Sequence, residues 1–290
     1  MIYLALSITA STVIFILFKL FHRFEVDNLQ AIIFNYFIAC LSGWLATDTV
    51  ISLQEFPYRD WFTGAFLLGI IFITVFNLMA ITTQKNGLSV AAVASKMSLA
   101  IPIIVGILLY KESTEWIKIF GIITALISVY LTAMKSKDTV QVSRKNLMYP
   151  LLVFLGSGII DTSLKYLEYK YVSQDEVSIF SATIFGVAAF IGLLILLYKA
   201  VRKTLVIKLK NIIAGMTLGI VNYGSIYCLI RALRFEGMDS STTFTINNVG
   251  ILITSTLMGM LFFKEKLHLK NWIGIGLAII SILLVALAIK

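Results

Sequence analysis

Residues 87–112 read GLSVAAVASKMSLAIPIIVGILLYKE, and residues 237–265 read GMDSSTTFTINNVGILITSTLMGMLFFKE. Each stretch opens on glycine, continues mainly apolar, and stops at an aromatic residue followed by Lys-Glu: Tyr110-Lys111-Glu112 and Phe263-Lys264-Glu265. The glycines stand 150 residues apart and the glutamates 153. A bilayer core about 30 Å thick takes about 20 mainly apolar residues to cross as a helix. Each stretch therefore reads as one crossing, and the two read as copies of one element.

Working outward, further runs of that length appear at 2–21, 28–47, 60–82, 114–134, 147–167, 176–199, 211–233 and 271–289. With 88–110 and 241–263 they make ten spans that cover 217 of 290 residues. The first run has no basic segment before it and is too long for a secretory h-region, so it reads as a span and not a cleaved signal. Backbone groups in lipid must be satisfied within the segment, which helices achieve. The short alternating strands of a barrel are absent. The expected fold class is all-α, a polytopic membrane bundle of ten transmembrane helices.

Composition agrees. The chain is 59% hydrophobic and 13% charged, whereas soluble domains run near 45–50% and about 25%. A net charge of +9 would fit a nucleic-acid binder only if a soluble basic face existed, and the spans leave no room for one. Cys40 and Cys228 lie in apolar runs, and His22 and His268 in charged connectors far apart. None has metal-ligand spacing, so neither metal nor cofactor is expected.

Other landmarks recur in order. Lys19 and Lys165 are 146 residues apart, and Gly121 and Gly274 are 153 apart. The halves 1–146 and 147–290 then hold five spans each. Five is odd, so the second half enters the membrane inverted. Inverted repeats mark secondary transporters, with the substrate site near the midplane between repeats. For orientation, fifteen Lys and Arg fall in the 1–2, 3–4, 5–6, 7–8 and 9–10 connectors and eight on the other side. The basic side is expected to be cytoplasmic, which puts both termini outside.

Charge inside the hydrocarbon costs about 2.5–3.5 kcal/mol per residue on insertion scales and defaults to a functional role. Lys96 lies about 12 Å into the fourth span and Asp161 about 21 Å into the sixth, at 1.5 Å per residue. Lys96 is expected to meet an anionic group of a solute, and Asp161 an ammonium or a coupling proton. The structural alternatives are an ion pair of Asp161 with Lys96 or with Lys165, one turn on. Pro102 cannot donate to the Ser98 carbonyl, so a helix break is expected there, with that carbonyl free for a ligand, water or hydroxyl. Ser95 and Ser98 flank the break. Asn247 and Asn248, at similar depth in the ninth span with Thr243 and Thr245, add neutral donors and acceptors. Their alternative is a bond across helices, which is the favoured reading for Asn77, Asn222, Tyr223 and Tyr227. Gly215 and Gly219 read as a close helix-packing pair. Arg231 and Arg234 read as snorkelling residues. Nucleophile elbows, zinc-binding His pairs and phosphate loops are absent, so an enzyme is not expected.

Gly87-Leu88-Ser89-Val90-Ala91, Pro102 and Lys111-Glu112, set in a five-plus-five layout, resemble the drug/metabolite transporter superfamily, the EamA-like branch most of all. Gly237, Lys264-Glu265 and Gly274 repeat part of the pattern. Ser255 stands where a second Pro102 would be, and Ala10-Ser11-Thr12 replaces a frequent Trp-Gly pair. The resemblance implies a central cavity lined by spans 1, 3, 4, 6, 8 and 9, alternating access, and cytoplasmic termini, against the charge count. It implies export of amino acids or other small metabolites, or exchange of nucleotide sugars or sugar phosphates. A non-transporting scaffold or receptor is the rival of another class. A small-molecule substrate, coupled protons, a bacterial inner membrane and a monomer or homodimer complete the expectations; nucleic acid is not a partner.

Overall fold

The fold was read from a computed structural model, which describes residues 1–47, 56–86, 88–112, 115–133, 148–263 and 269–287. Among these, the long elements are all helices: α1 Ile2–Arg23, α2 Asn28–Leu45, α3 Phe62–Asn86, α4 Leu88–Met97, α5 Ala100–Tyr110, α6 Trp116–Ala133, α7 Met148–Tyr171, α8 Val177–Val201, α9 Leu209–Leu233, α10 Ser240–Phe263 and α11 Leu269–Leu287. Eight of the ten expected spans are helices long and apolar enough to cross a membrane. The fourth and fifth are covered by shorter ones, Ala94–Tyr110 and Trp116–Leu131. The expected polytopic helical bundle is what the chain forms.

Large apolar side chains point outward as well as inward. On α6, Trp116, Ile117, Phe120, Ile123 and Ile127 are exposed, and α11 does the same with Trp272, Ile273, Ile280 and Leu283. Water would penalise such a belt, and lipid does not. The protein is a multi-pass membrane protein.

The helices pack in two groups and a pair. One group gathers α3, α4, α5, α7 and α8; the other gathers α1, α2, α9 and α10; α6 pairs with α11. Shifting by five spans turns one group into the other. The α3–α7 contact maps onto α9–α1, α3–α8 onto α9–α2, and α4–α7 onto α10–α1. Contacts of α2 with α8 and of α5 with α10 join the groups.

Small residues set the close approaches. A Cβ on Gly215 would lie 2.6 Å from the Ala31 carbonyl oxygen, and one on Gly219 2.6 Å from that of Asn35. The expected packing pair thus seats α9 on α2. Beside it, Asn222 donates to Asn35 at 3.1 Å within this buried seam. Asn77 bonds its own helix at Ile73.

The fourth span is broken, but not at the proline. Ser98 and Leu99 form the turn, and Pro102 sits in the first turn of α5. The ring of a proline crowds the carbonyl four residues back, here that of Ser98, so the chain tightens just there. The Ser98 carbonyl does not stay free, because the Ile101 amide donates to it at 2.9 Å. The Ser98 hydroxyl in turn donates to the Ser95 carbonyl at 2.5 Å. The turn satisfies itself.

Candidate functional site

Lys96 stands one turn before the break, where α4, α1, α7 and α10 converge. Its Nζ donates to Asn248 Oδ1 at 3.1 Å and lies 5.4 Å from the centre of the Phe15 ring. Asn248 donates its own amide to the Phe244 carbonyl at 3.1 Å, which turns its oxygen toward the lysine. Lys96 and Asn248 are 152 residues apart, inside the 150–153 offset between the two repeats. Residues that the repeat makes equivalent can touch only near the axis that relates them. In the inverted-repeat reading of the sequence, the bond falls on the axis between the halves, where such repeats place a substrate site.

Asp161 on α7 is half-buried and close enough for its charge and that of Lys96 to act on each other. The two form no ion pair within 4 Å, and among the described residues Asp161 accepts no hydrogen bond. Lys165 does not reach back to it. Instead Lys165 pairs with Glu168 at 3.1 Å, one turn further on. Ser157, one turn before Asp161, donates to the Ser95 hydroxyl at 3.5 Å. Asn247 is 5% exposed, and its Oδ1 has no partner. A buried amide oxygen left unpaired costs about 1–3 kcal/mol.

Of the residues expected at the site, Lys96, Ser95, Asp161 and Asn248 come together around one point. Ser98 and Pro102 serve the turn beneath it. Thr243 and Thr245 are buried and bond to carbonyls one turn earlier in α10. Tyr223 stacks on Tyr227 at 5.8 Å, and Tyr227 accepts from Arg231 at 3.1 Å. Phe15 is a site residue that sequence reasoning missed, since nothing separates it from the other phenylalanines of an apolar run.

Away from the axis, charge gathers at one end of the bundle. Lys111 adopts a left-handed backbone (φ 52°) after α5, a conformation that usually calls for glycine. It folds Glu112 back over Gly106, where a Cβ would lie 2.9 Å from the carboxylate. Glu112 then caps α10, accepting from the Ser240 and Ser241 amides at 3.0 and 3.1 Å and from both hydroxyls. Lys118, buried, bonds Asp239 at 2.6 Å. Arg234, expected to snorkel, donates to Glu168 at 2.8 Å. Glu168 escaped notice because it lies one residue beyond the expected end of the sixth span.

Away from the site, one concavity of about 490 Å³ is wholly apolar, lined by Phe34, Phe37, Leu193, Leu196 and Leu197 on α2 and α8.

Known proteins agree with this layout. Residues 147–287 match the EamA-like transporter family. An uncharacterized protein of Haemophilus influenzae is 27% identical over 287 residues, covering 94% of this chain and 93% of its own. A probable 4-amino-4-deoxy-L-arabinose-phosphoundecaprenol flippase subunit ArnE of Hamiltonella defensa is 36% identical over 61 residues, 21% of this chain and 52% of that one. A crystal structure superposes with a TM-score of 0.72 over 98% of both chains at 10% identity, a likeness of fold. The match over residues 147–287 places the second half of the chain in the EamA-like transporter family, of the drug/metabolite transporter superfamily.

Proposed function

We propose that the protein is a secondary transporter that moves a small zwitterionic metabolite, such as an amino acid, by alternating access. The site is the point where Lys96, Asp161, Asn247 and Asn248 approach the axis between the halves 1–146 and 147–290. One observation carries the reading: two opposite charges on different helices face one site without touching. A structural ion pair would close that gap, because contact is what offsets the cost of taking charge out of water. A solute with a carboxylate and an ammonium would fill it, the carboxylate on Lys96 and the ammonium on Asp161. Asn248 holds Lys96 in place, and the unpaired Asn247 oxygen offers a further acceptor. No catalytic step or cofactor enters this scheme.

The connector charges support both termini outside a bacterial inner membrane, and the family resemblance supports transport directed outward. Asp161 doubles as carrier of a coupling proton when solute is absent. The flippase relative handles a phosphate-bearing substrate by its name, which favours a phosphorylated solute as the second reading. Such a solute asks for more than one cation at the site, and among the described residues Lys96 is the one placed there.

Reconstitution into proteoliposomes with a labelled panel (amino acids, organic anions, amines, sugar phosphates) tests both readings. Uptake confined to zwitterions and driven by a pH gradient supports the first. Preference for sugar phosphates overturns it in favour of the second. No uptake of any class, with folded protein, speaks for a scaffold.

A further inference from the structure

Polar contacts tie the two helix groups together at one end of the bundle. At the end that carries Met1 and the 8–9 connector, Glu168 of α7 is 5% exposed and lies between two cations. Arg234 Nε, just past α9, is 2.8 Å away and Lys165 Nζ 3.1 Å. Arg234 also donates to the Val172 carbonyl at 2.6 Å, and Lys165 to the Leu233 carbonyl at 3.3 Å. Three polar contacts thus bind the end of α7 to the end of α9, which belong to different groups, and the Lys165–Glu168 pair orders the cluster within α7.

At the opposite end, polar contacts run within the group of α1, α2, α9 and α10. The Asp27 amide donates to Asn211 at 3.1 Å, Lys210 to the Phe24 carbonyl at 2.8 Å, and Lys19 lies 4.3 Å from the Phe263 ring centre. The packing shows the same bias, since α7 meets α9 while their counterparts α1 and α3 do not pack closely.

The repeat register says what the counterpart cluster would contain. An offset of 146 sets Lys19 against Lys165 and His22 against Glu168, and an offset of 150 sets Gln84 against Arg234. The counterpart set has no carboxylate. Glu112, by contrast, has Glu265 as its counterpart, and Ser240 has Ser89. One tie between the groups is duplicated in the sequence and the other is not.

The geometry points to Glu168, held by Arg234 and Lys165, as the latch of a gate at the N-terminal end of the pathway. The inference rests on the alternating-access reading. While the three charges stay together, that end is shut and the protein rests open toward the other side. Opening requires α7 and α9 to part, which separates Glu168 from Arg234. Arg234 also lines a cavity of about 280 Å³ with Tyr3, Gln174 and Arg231, so the latch borders a mouth at that end. Removing the carboxylate leaves two partly buried cations facing each other, and a half-removed buried pair destabilises the closed arrangement more than its formation stabilised it.

Thiol accessibility tests this without any solute. Cys40→Ala and Cys228→Ala clear the background, and Ser157→Cys places a reporter one turn from Asp161. A charged, membrane-impermeant maleimide is applied to vesicles with the N-terminal face outward and to inverted ones. Glu168→Gln should raise labelling from the N-terminal face about tenfold, the effect of about 1.4 kcal/mol on the open–closed balance, and lower it from the other face. Arg234→Gln should move both rates in the same direction, and Glu168→Asp should stay near the parent. Unchanged labelling in both charge-removing variants overturns the latch. So does an equal rise from both faces, the mark of general loosening. A flip in labelling without Lys96-dependent uptake would keep the gate and discard the proposed solute.

Discussion

The fourth and ninth spans are copies, yet one is broken and the other continuous. Pro102 splits the fourth into α4 and α5, while Ser255 at the matching place donates to the Leu252 carbonyl and α10 continues to Phe263. The two also differ where they meet, since the fourth presents Lys96 and the ninth Asn248. Duplication gave two equivalent helices at the axis, and divergence placed a cation and a turn on one and a neutral amide on the other. A symmetric pair of lysines there would repel, and a pair of asparagines would hold no charge. With one of each, the proposed site has Lys96 positioned by its partner and its charge available to a solute.

The largest effect should come from removing that cation. Lys96→Ala is expected to lower uptake about 100-fold, equivalent to about 2.7 kcal/mol and in keeping with loss of a charged hydrogen-bond partner; initial-rate uptake at matched protein density checks it. Exchanging the two sides asks whether the positions are equivalent. Lys96→Asn combined with Asn248→Lys should recover about a tenth of wild-type uptake, about 1.4 kcal/mol short, where Lys96→Asn alone recovers none. A double variant as dead as the single one would place the bond off the axis.

Breaking the continuous copy comes next. Ser255→Pro removes an interior helix bond and should cost about 3 kcal/mol, read as a lower melting temperature in detergent. Glu112→Gln weakens the cap of the same helix, by about 1 kcal/mol. Pro102→Ala should do least, about 0.5 kcal/mol in stability by easing a tight turn with a few-fold change in transport; a wild-type transport rate would show that the broken helix has no part in the cycle.

The spans were legible because lipid imposes long apolar runs, and Lys96 and Asp161 because charge stands out within them. The pairing of Lys96 with Asn248 was implicit in the repeat offset, although sequence alone does not say that the two helices cross at that depth. The position of the break was not legible. Proline fixes which carbonyl loses its donor, but the Ile101 amide and the Ser98 hydroxyl decide how the chain closes again. Phe15 and Glu168 were hidden for different reasons. Phe15 gains its place only from the crossing of α1 with α4. Glu168 looks like an interfacial charge until Arg234 arrives from a helix 66 residues away.

Asp161 offers the sharpest check, because among the described residues it has no hydrogen bond or ion pair that would explain its presence structurally. Binding of a zwitterionic solute found by the panel should be followed by calorimetry in wild type, Lys96→Ala and Asp161→Asn, each shown to be folded by its melting temperature. The solute should bind wild type and fail to bind either variant, while an analogue lacking the ammonium group loses affinity for wild type and none further for Asp161→Asn. Undiminished binding of the zwitterion to folded Asp161→Asn would contradict the site.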